Sequence, residues 1–177
     1  MQIKENMIGK RIEIRDYHTE DQRFIEDLWF DPQMNRYMGD PLREYADEKY
    51  YEALSQMEDN EDGYYLIIRM KDSGERMGTC CMFPDEDRTT YDIGYTIDRR
   101  YWRMGYGSEA IQLLLHWIKE HGGKAVTCEV AVDNAASNAL IRKMGFSVWK
   151  DAEFKKWNMD VKYKSYIYRR ELYSKRH

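Results

Sequence analysis

The sequence predicts a single α/β (α+β) domain over residues 1–177, with a mixed, mostly antiparallel sheet of about seven strands flanked by about four helices. Three observations predict it. Between residues 64 and 98, short runs rich in aromatic and β-branched residues alternate with turn clusters, the pattern of a strand meander. Residues 108–120 then place Ile111, Leu114, Leu115 and Ile118 on one helical stripe, with Ala110 and Trp117 beside it. Strands over 90–98 and 124–131 flank that helix, and such a crossover implies one parallel pair inside the sheet. No repeat, low-complexity tract or linker rich in Pro, Gly or Ser divides the chain.

Residues 11–15 alternate with period two and read as a strand. Thr19, with Gln22 three residues later, forms a capping box that opens a helix to about Phe30. Asp31-Pro32 starts a short helical turn, since proline suits the first helical position. A third helix runs over 44–57, and 60–63 is a turn cluster. Strands over 64–70 and 75–83 close a hairpin on Asp72-Ser73-Gly74, and a turn over 85–88 leads into the strand 90–98. Gly122 and Gly123 stop the helix 108–120. A further helix over 134–144 is capped by Asn134 and ended by Gly145. Residues 146–157 and 160–172 close the sheet as a strand pair.

Composition narrows the function classes. At 177 residues and 42% apolar, the chain can bury a proper core. The formal charge of -4 supplies no basic field for nucleic acid. Residues 1–11 are too polar for a secretory leader, and no run reaches the ~18 apolar residues of a membrane span. Cys80, Cys81 and Cys128 form no CxxC pair, which fits a reduced cytoplasmic compartment and buried strand positions. His18, His116, His121 and His177 share no ligand spacing, so no metal is expected. Eight acids between Glu44 and Asp62 face the single base Lys49, either as a solvated helix face or as an attractor for a cationic substrate. Monomer and homodimer both remain open.

The informative segment is residues 98–110, where a strand ends, a loop carries Gly105 and Gly107, and an amphipathic helix begins. Such a loop aims the main-chain N–H groups of Met104, Gly105, Tyr106, Gly107 and Ser108 and the positive helix end at one point, a site for a pyrophosphate. Gly107 lets an anion approach the main chain, and Arg103 adds a positive charge. Two other readings stay open at this level. The glycines alone can serve a tight turn. Gly105, Gly107 and Ala110 also satisfy Gly-x-Gly-x-x-Ala, with Glu129 at the distance of a ribose-binding acid. Against a dinucleotide site stand the gap between Ile97 and Gly105, the preceding hairpins, and the single visible strand-helix-strand unit.

The segment from Tyr101 to Ala110 resembles the acetyl-CoA loop of the GNAT superfamily of acyl-CoA-dependent N-acyltransferases, written Gln/Arg-x-x-Gly-x-Gly/Ala, with Trp102 in place of Gln or Arg. The segment from Asn134 through Ser137, Asn138 and Lys143 to Gly145-Phe146 is similar to that family's Asn-x-x-Ser-x-x-Leu-x-x-Lys-x-Gly-Phe helix, about thirty residues downstream. The strand 11–15 and Asp31-Pro32 sit where the branch of ribosomal-protein N-terminal acetyltransferases has similar elements. The resemblance covers nearly the whole chain, apart from residues 35–63.

The resemblance implies a fold in which the strands holding Ile97 and Val130 splay, with Gly94 as a bulge that starts the splay. Pantetheine would fill the gap as a false strand, bonding main chain near Ile97 and facing Asn134 and Asn138. It implies acetyl-CoA as co-substrate and a primary amine as acceptor, on a protein N-terminus or a small molecule. An alkylammonium, pKa near ~10, must lose a proton before it attacks. Asp92 matches the family's general base, and a main-chain N–H near Ile97 would stabilise the oxyanion. Many relatives serve the leaving thiolate with a tyrosine, but Ile141 stands there. In the ribosomal-type branch Ser137 is the matching substitute. Transfer of another acyl group and silent acyl-CoA sensing are the rival functions.

Overall fold

The computed structural model describes residues 1–157 and 159–173, so His177 lies outside the described residues. The described chain folds into one eight-stranded sheet with five α-helices. The strands are β1 (Met7–Ile8), β2 (Ile12–Asp16), β3 (Tyr64–Met70), β4 (Arg76–Pro84), β5 (Thr90–Ile97), β6 (Ala125–Ala131), β7 (Ser147–Lys155) and β8 (Lys162–Glu171). The helices are α1 (Gln22–Trp29), α2 (Pro32–Asn35), α3 (Glu48–Gln56), α4 (Tyr106–Glu120) and α5 (Ala135–Lys143). The sheet order is β1-β2-β3-β4-β5-β6-β8-β7, and every neighbouring pair is antiparallel except β5 and β6. The expected mixed sheet and its single parallel pair are thus present. The eighth strand, β1, is two residues long and too short to leave a period.

Hydrophobic clusters lie on both faces of the sheet. On one, α4 buries Ile111, Leu114 and Ile118 completely against Ile12, Ile14, Met77 and Met82 of the strands, and Ile141 of α5 joins them. On the other, α1 and α3 cover Tyr17 and Ile67 with Ile25, Tyr50 and Leu54. The acidic helix α3 therefore roofs this second face while its charges stay outside. It begins at Glu48, where the Asp47 carboxylate accepts the Tyr50 N–H at 2.9 Å, and not at residue 44.

The start of α1 differs from the expected Thr19–Gln22 capping box. A 3-10 turn, Thr19–Asp21, precedes the helix, and the Asp21 carboxylate accepts the His18 N–H at 2.9 Å. Thr19 Oγ1 instead donates to Glu58 at 2.7 Å, beyond α3. Asp21 is fully buried between the guanidinium groups of Arg15 and Arg76, at 2.8 and 2.6 Å. Asp31 caps α2 as expected, accepting the Gln33 N–H at 2.9 Å. The segment after α2 is clasped by the β7–β8 hairpin. The buried Lys156 ammonium donates to carbonyls of Asn35, Met38 and Asp40 at 2.8, 2.9 and 3.0 Å.

Candidate active site

Between β5 and β6 the sheet parts. Their parallel pairing covers only Thr90, Tyr91 and Asp92 against Ala125, Val126 and Thr127, while the strands run on to Ile97 and Ala131. Each strand stays paired on its outer edge, β5 with β4 and β6 with β8. The pairing of β4 with β5 is in continuous register through Cys81 and Gly94, so the bulge expected at Gly94 is not there. Gly94 answers a packing need instead: a Cβ there would stand 3.0 Å from Cys81 Sγ.

The Ala125 N–H bonds the Thr89 carbonyl and the Asp98 N–H bonds the Met77 carbonyl. Strand alternation then turns the amides of Tyr95 and Ile97 into the gap. The Ile97 carbonyl is already occupied, accepting from the Trp102 indole at 2.7 Å. A cleft of about 340 Å³ passes through the gap. Tyr95, Val130, Asn134 and Ser137 line it toward α5, and Tyr17, Trp29, Tyr37 and Glu129 line it toward the α1–α3 side.

The loop before α4 leaves the first amides of that helix without a side-chain cap. Gly105 takes φ +82° at the helix N-cap, and no side chain caps the helix, so the amides of its first turn stay available. By contrast α2, α3 and α5 each receive a side-chain cap. Arg103, exposed with φ +61°, makes no ion pair among the described residues. Met104 and Ser108 complete the turn around Gly105, Tyr106 and Gly107. A Cβ on Gly107 would meet Leu140 Cδ2 of α5 at 2.8 Å, so this glycine also leaves room for that side chain.

Arg11 braces this loop, which the sequence did not indicate. Its guanidinium donates to the Met104 carbonyl at 2.8 Å and lies 4.1 Å above the Tyr106 ring. It also pairs with Glu109 at 2.9 Å, and the Arg11 N–H donates to the same carboxylate at 2.7 Å. Burial opposes ionisation of Glu109, but these bonds hold its carboxyl below the usual range. The acid in the first turn of α4 is thereby paired beside the uncapped amides.

Asp92 lies at the last paired position of β5, beside the cleft but not in its wall, and accepts from Thr127 Oγ1 at 2.7 Å. Desolvation pushes its carboxyl above the ordinary range. The Thr127 bond pulls the other way, and the charge of Glu129 adds to the push. Asp92 is nevertheless exposed by its accessible surface, which limits that push. Glu129, two residues beyond Thr127 on the same strand face, lines the cleft and accepts from Ser165 Oγ at 2.6 Å. Asp98 is spent on Arg100, at 2.9 Å.

On α5, Asn134 caps the helix by accepting the Ser137 N–H at 3.3 Å and also lines the cleft. Asn138 is buried and wholly engaged by protein. Its amide donates to the carbonyls of Ala131 and Asn134, at 2.9 and 2.8 Å, and accepts from Tyr168 Oη at 2.6 Å. It pins α5 to the end of β6. Ser137 Oγ stands 2.6 Å from Tyr95 Oη, a contact spanning 42 residues that no local pattern announces. Among the described residues no group of three His, Cys, Asp or Glu side chains is arranged to hold a metal, and no helix is long and apolar enough to cross a membrane.

Comparison with known proteins agrees with this architecture. The family model of the GNAT acetyltransferase domain matches residues 11–147. Among curated relatives, p20 of Bacillus licheniformis, an uncharacterized N-acetyltransferase, is 25% identical over 150 residues, covering 80% of this chain and 82% of its own. Among solved structures, a GNAT acetyltransferase from Bacillus anthracis superposes with TM-score 0.80 at 18% identity, over 95% of this chain and 99% of that one. The ribosomal-protein acetyltransferase RimL, in complex with coenzyme A, gives TM-score 0.80 at 16% identity, over 94% and 98%. Spermidine N-acetyltransferase from Vibrio cholerae, in complex with coenzyme A and spermine, gives 0.79 at 13%, over 92% and 96%. With the family model spanning both the splayed strands and the loop before α4, the chain belongs to the GNAT acetyltransferase family and is an acetyltransferase.

Proposed function

We propose that this protein transfers the acetyl group of acetyl-CoA directly to a primary amine on an acceptor with carbonyl oxygens near that amine, a peptide N-terminus being the simplest case. The observation that carries the reading is the cleft through the parted strands. Glu129, a carboxylate for an ammonium, lines it, and so does Ser137 of α5, the helix whose Leu140 packs against Gly107 at the uncapped start of α4, where amides are free for a pyrophosphate. RimL and the spermidine enzyme, which share the fold, mark the two acceptor classes between which the cleft must choose. Two buried donors favour the first: Tyr17 and Trp29 line the cleft, and among the described residues Tyr17 Oη and Trp29 Nε1 have no hydrogen-bond partner. A peptide supplies carbonyls for such donors and a polyamine does not.

In this reading the pyrophosphate sits on the amides of residues 103–108, with Arg103 as its side-chain charge. Pantetheine runs between β5 and β6 past Asn134. Asn138 acts behind it by fixing α5. Asp92 takes the proton of the ammonium, directly or through water, while Glu129 receives the cation. The Ile97 or Tyr95 amide meets the developing oxyanion. Ser137 attends the leaving sulfur. The experiment is release of coenzyme A thiol from acetyl-CoA with short peptides bearing free N-termini and, in parallel, spermine. We expect turnover with peptides that exceeds turnover with spermine. Turnover with spermine alone overturns the acceptor class, and binding of acetyl-CoA without turnover on any amine points to a sensor.

A further inference from the structure

We propose that Tyr95, from β5, aims the Ser137 hydroxyl at the departing sulfur, so that the serine serves the thiolate where Ile141 cannot; the inference rests on the acyl-CoA reading of this cleft. Tyr95 Oη and Ser137 Oγ are 2.6 Å apart, and both side chains line the gap between β5 and β6. Each hydroxyl carries one hydrogen, so the direction of the bond decides what faces the cleft. A phenol is the stronger acid and therefore the stronger donor. Its hydrogen has no other acceptor among the described residues, and a partly buried O–H left without one is costly. Tyr95 therefore donates and Ser137 Oγ accepts. That leaves the serine hydrogen free to turn into the gap. Had serine donated instead, the phenol hydrogen would have no partner and the sulfur no aimed donor.

Tyr95 positions and does not supply a proton. A phenol, pKa ~10, holds its proton more tightly than a thiol at ~8.5. Burial of Tyr95 raises it further, with Cys128 nearby adding to the rise and the Ser137 bond opposing it. When the tetrahedral intermediate collapses, the carbonyl re-forms as the C–S bond breaks, and the electron pair leaves on sulfur. Ser137 O–H donates a hydrogen bond to that thiolate, and the thiolate later takes its proton from solvent. The first proton of the ammonium has already gone to the base, and the second, acidic on the newly bonded nitrogen, passes to solvent. Polarised by the Tyr95 bond, the serine hydroxyl is both fixed in direction and a better donor.

The test titrates the thiol of bound coenzyme A through the ultraviolet absorbance of the thiolate, in the parent, Tyr95→Phe, Ser137→Ala and the double variant. Phenylalanine keeps the ring and its packing, and Ser137→Ala reads the same bond from the other side. In the parent, the bound thiol is expected to titrate below free coenzyme A, and each variant is expected to raise it by about one pH unit. Turnover of acetyl-CoA should fall about tenfold in Tyr95→Phe and ten- to a hundredfold in Ser137→Ala. The double variant should match Ser137→Ala alone, because Tyr95 acts through the serine. A bound thiol that titrates alike in the parent and Tyr95→Phe overturns the inference. So does a double variant that falls by the product of the single losses. A parent that binds no coenzyme A instead fails the transferase reading itself, and this inference with it.

Discussion

A carboxylate serves as a base near neutral pH only when its proton affinity is raised toward that pH. Asp92 is raised by desolvation first and by the Glu129 charge besides, against the Thr127 bond. Asp92→Asn keeps the shape and should lower kcat about 10²-fold, with coenzyme A affinity unchanged in calorimetry. The sign of the pH dependence follows from the neighbour. The base works ionised, so activity is lost as pH falls through its raised pKa. Glu129→Gln removes a like charge, lowers that pKa, and should move the acid limb of kcat/KM to lower pH while raising KM for the amine. An acid limb that stays put separates Asp92 from the chemistry. At this scale Asp92 and Ser137 were legible as residue types within a motif. Tyr95 and Glu129 were not, because their meaning lies in partners 42 and 36 residues away.

At the scale of elements, Gly107 joins two duties. The sequence reads Gly107 as the place where an anion approaches the main chain. Leu140 of α5, whose Cδ2 lies 2.8 Å from the position of a Cβ, shows that a side chain at Gly107 would also crowd the leucine. Gly107→Val is therefore expected to weaken coenzyme A at least tenfold and to cost about 1–3 kcal/mol of stability through overpacking. Shortening the neighbour, Leu140→Val, should recover part of the stability in thermal melts and little of the affinity. Recovery of both would show that Gly107 spaces helices and does not face a ligand. The loop's other support, Arg11, comes from β2 and reaches Met104 and Glu109. No periodicity in residues 11–15 distinguishes such a brace from any exposed strand arginine.

For the whole molecule, a ligand that binds only the folded chain raises the melting temperature by mass action. Coenzyme A at a hundred times its Kd is expected to add about 2.7 kcal/mol, and NAD nothing measurable, in parallel thermal melts. Stabilisation by NAD alone would restore the dinucleotide reading of Gly105, Gly107 and Ala110. The topology already speaks against that reading, since only one adjacent pair of the eight strands is parallel.

The sequence by itself determined the elements. Period-two runs, the stripe Ile111, Leu114, Leu115 and Ile118, and caps such as Asp31 and Asn134 are local, and local chemistry decides them. It also determined the spaced motifs of the α4 loop and α5 that carry the family. Tertiary structure alone decided where β5 and β6 part company, which no residue at Gly94 signals, since pairing depends on what each strand's outer neighbour holds in place. It alone decided that Tyr95 meets Ser137 and that Arg11 neutralises Glu109. Such contacts join residues far apart in the chain, and their energy exists only once the sheet and both helical layers have brought them within hydrogen-bond reach.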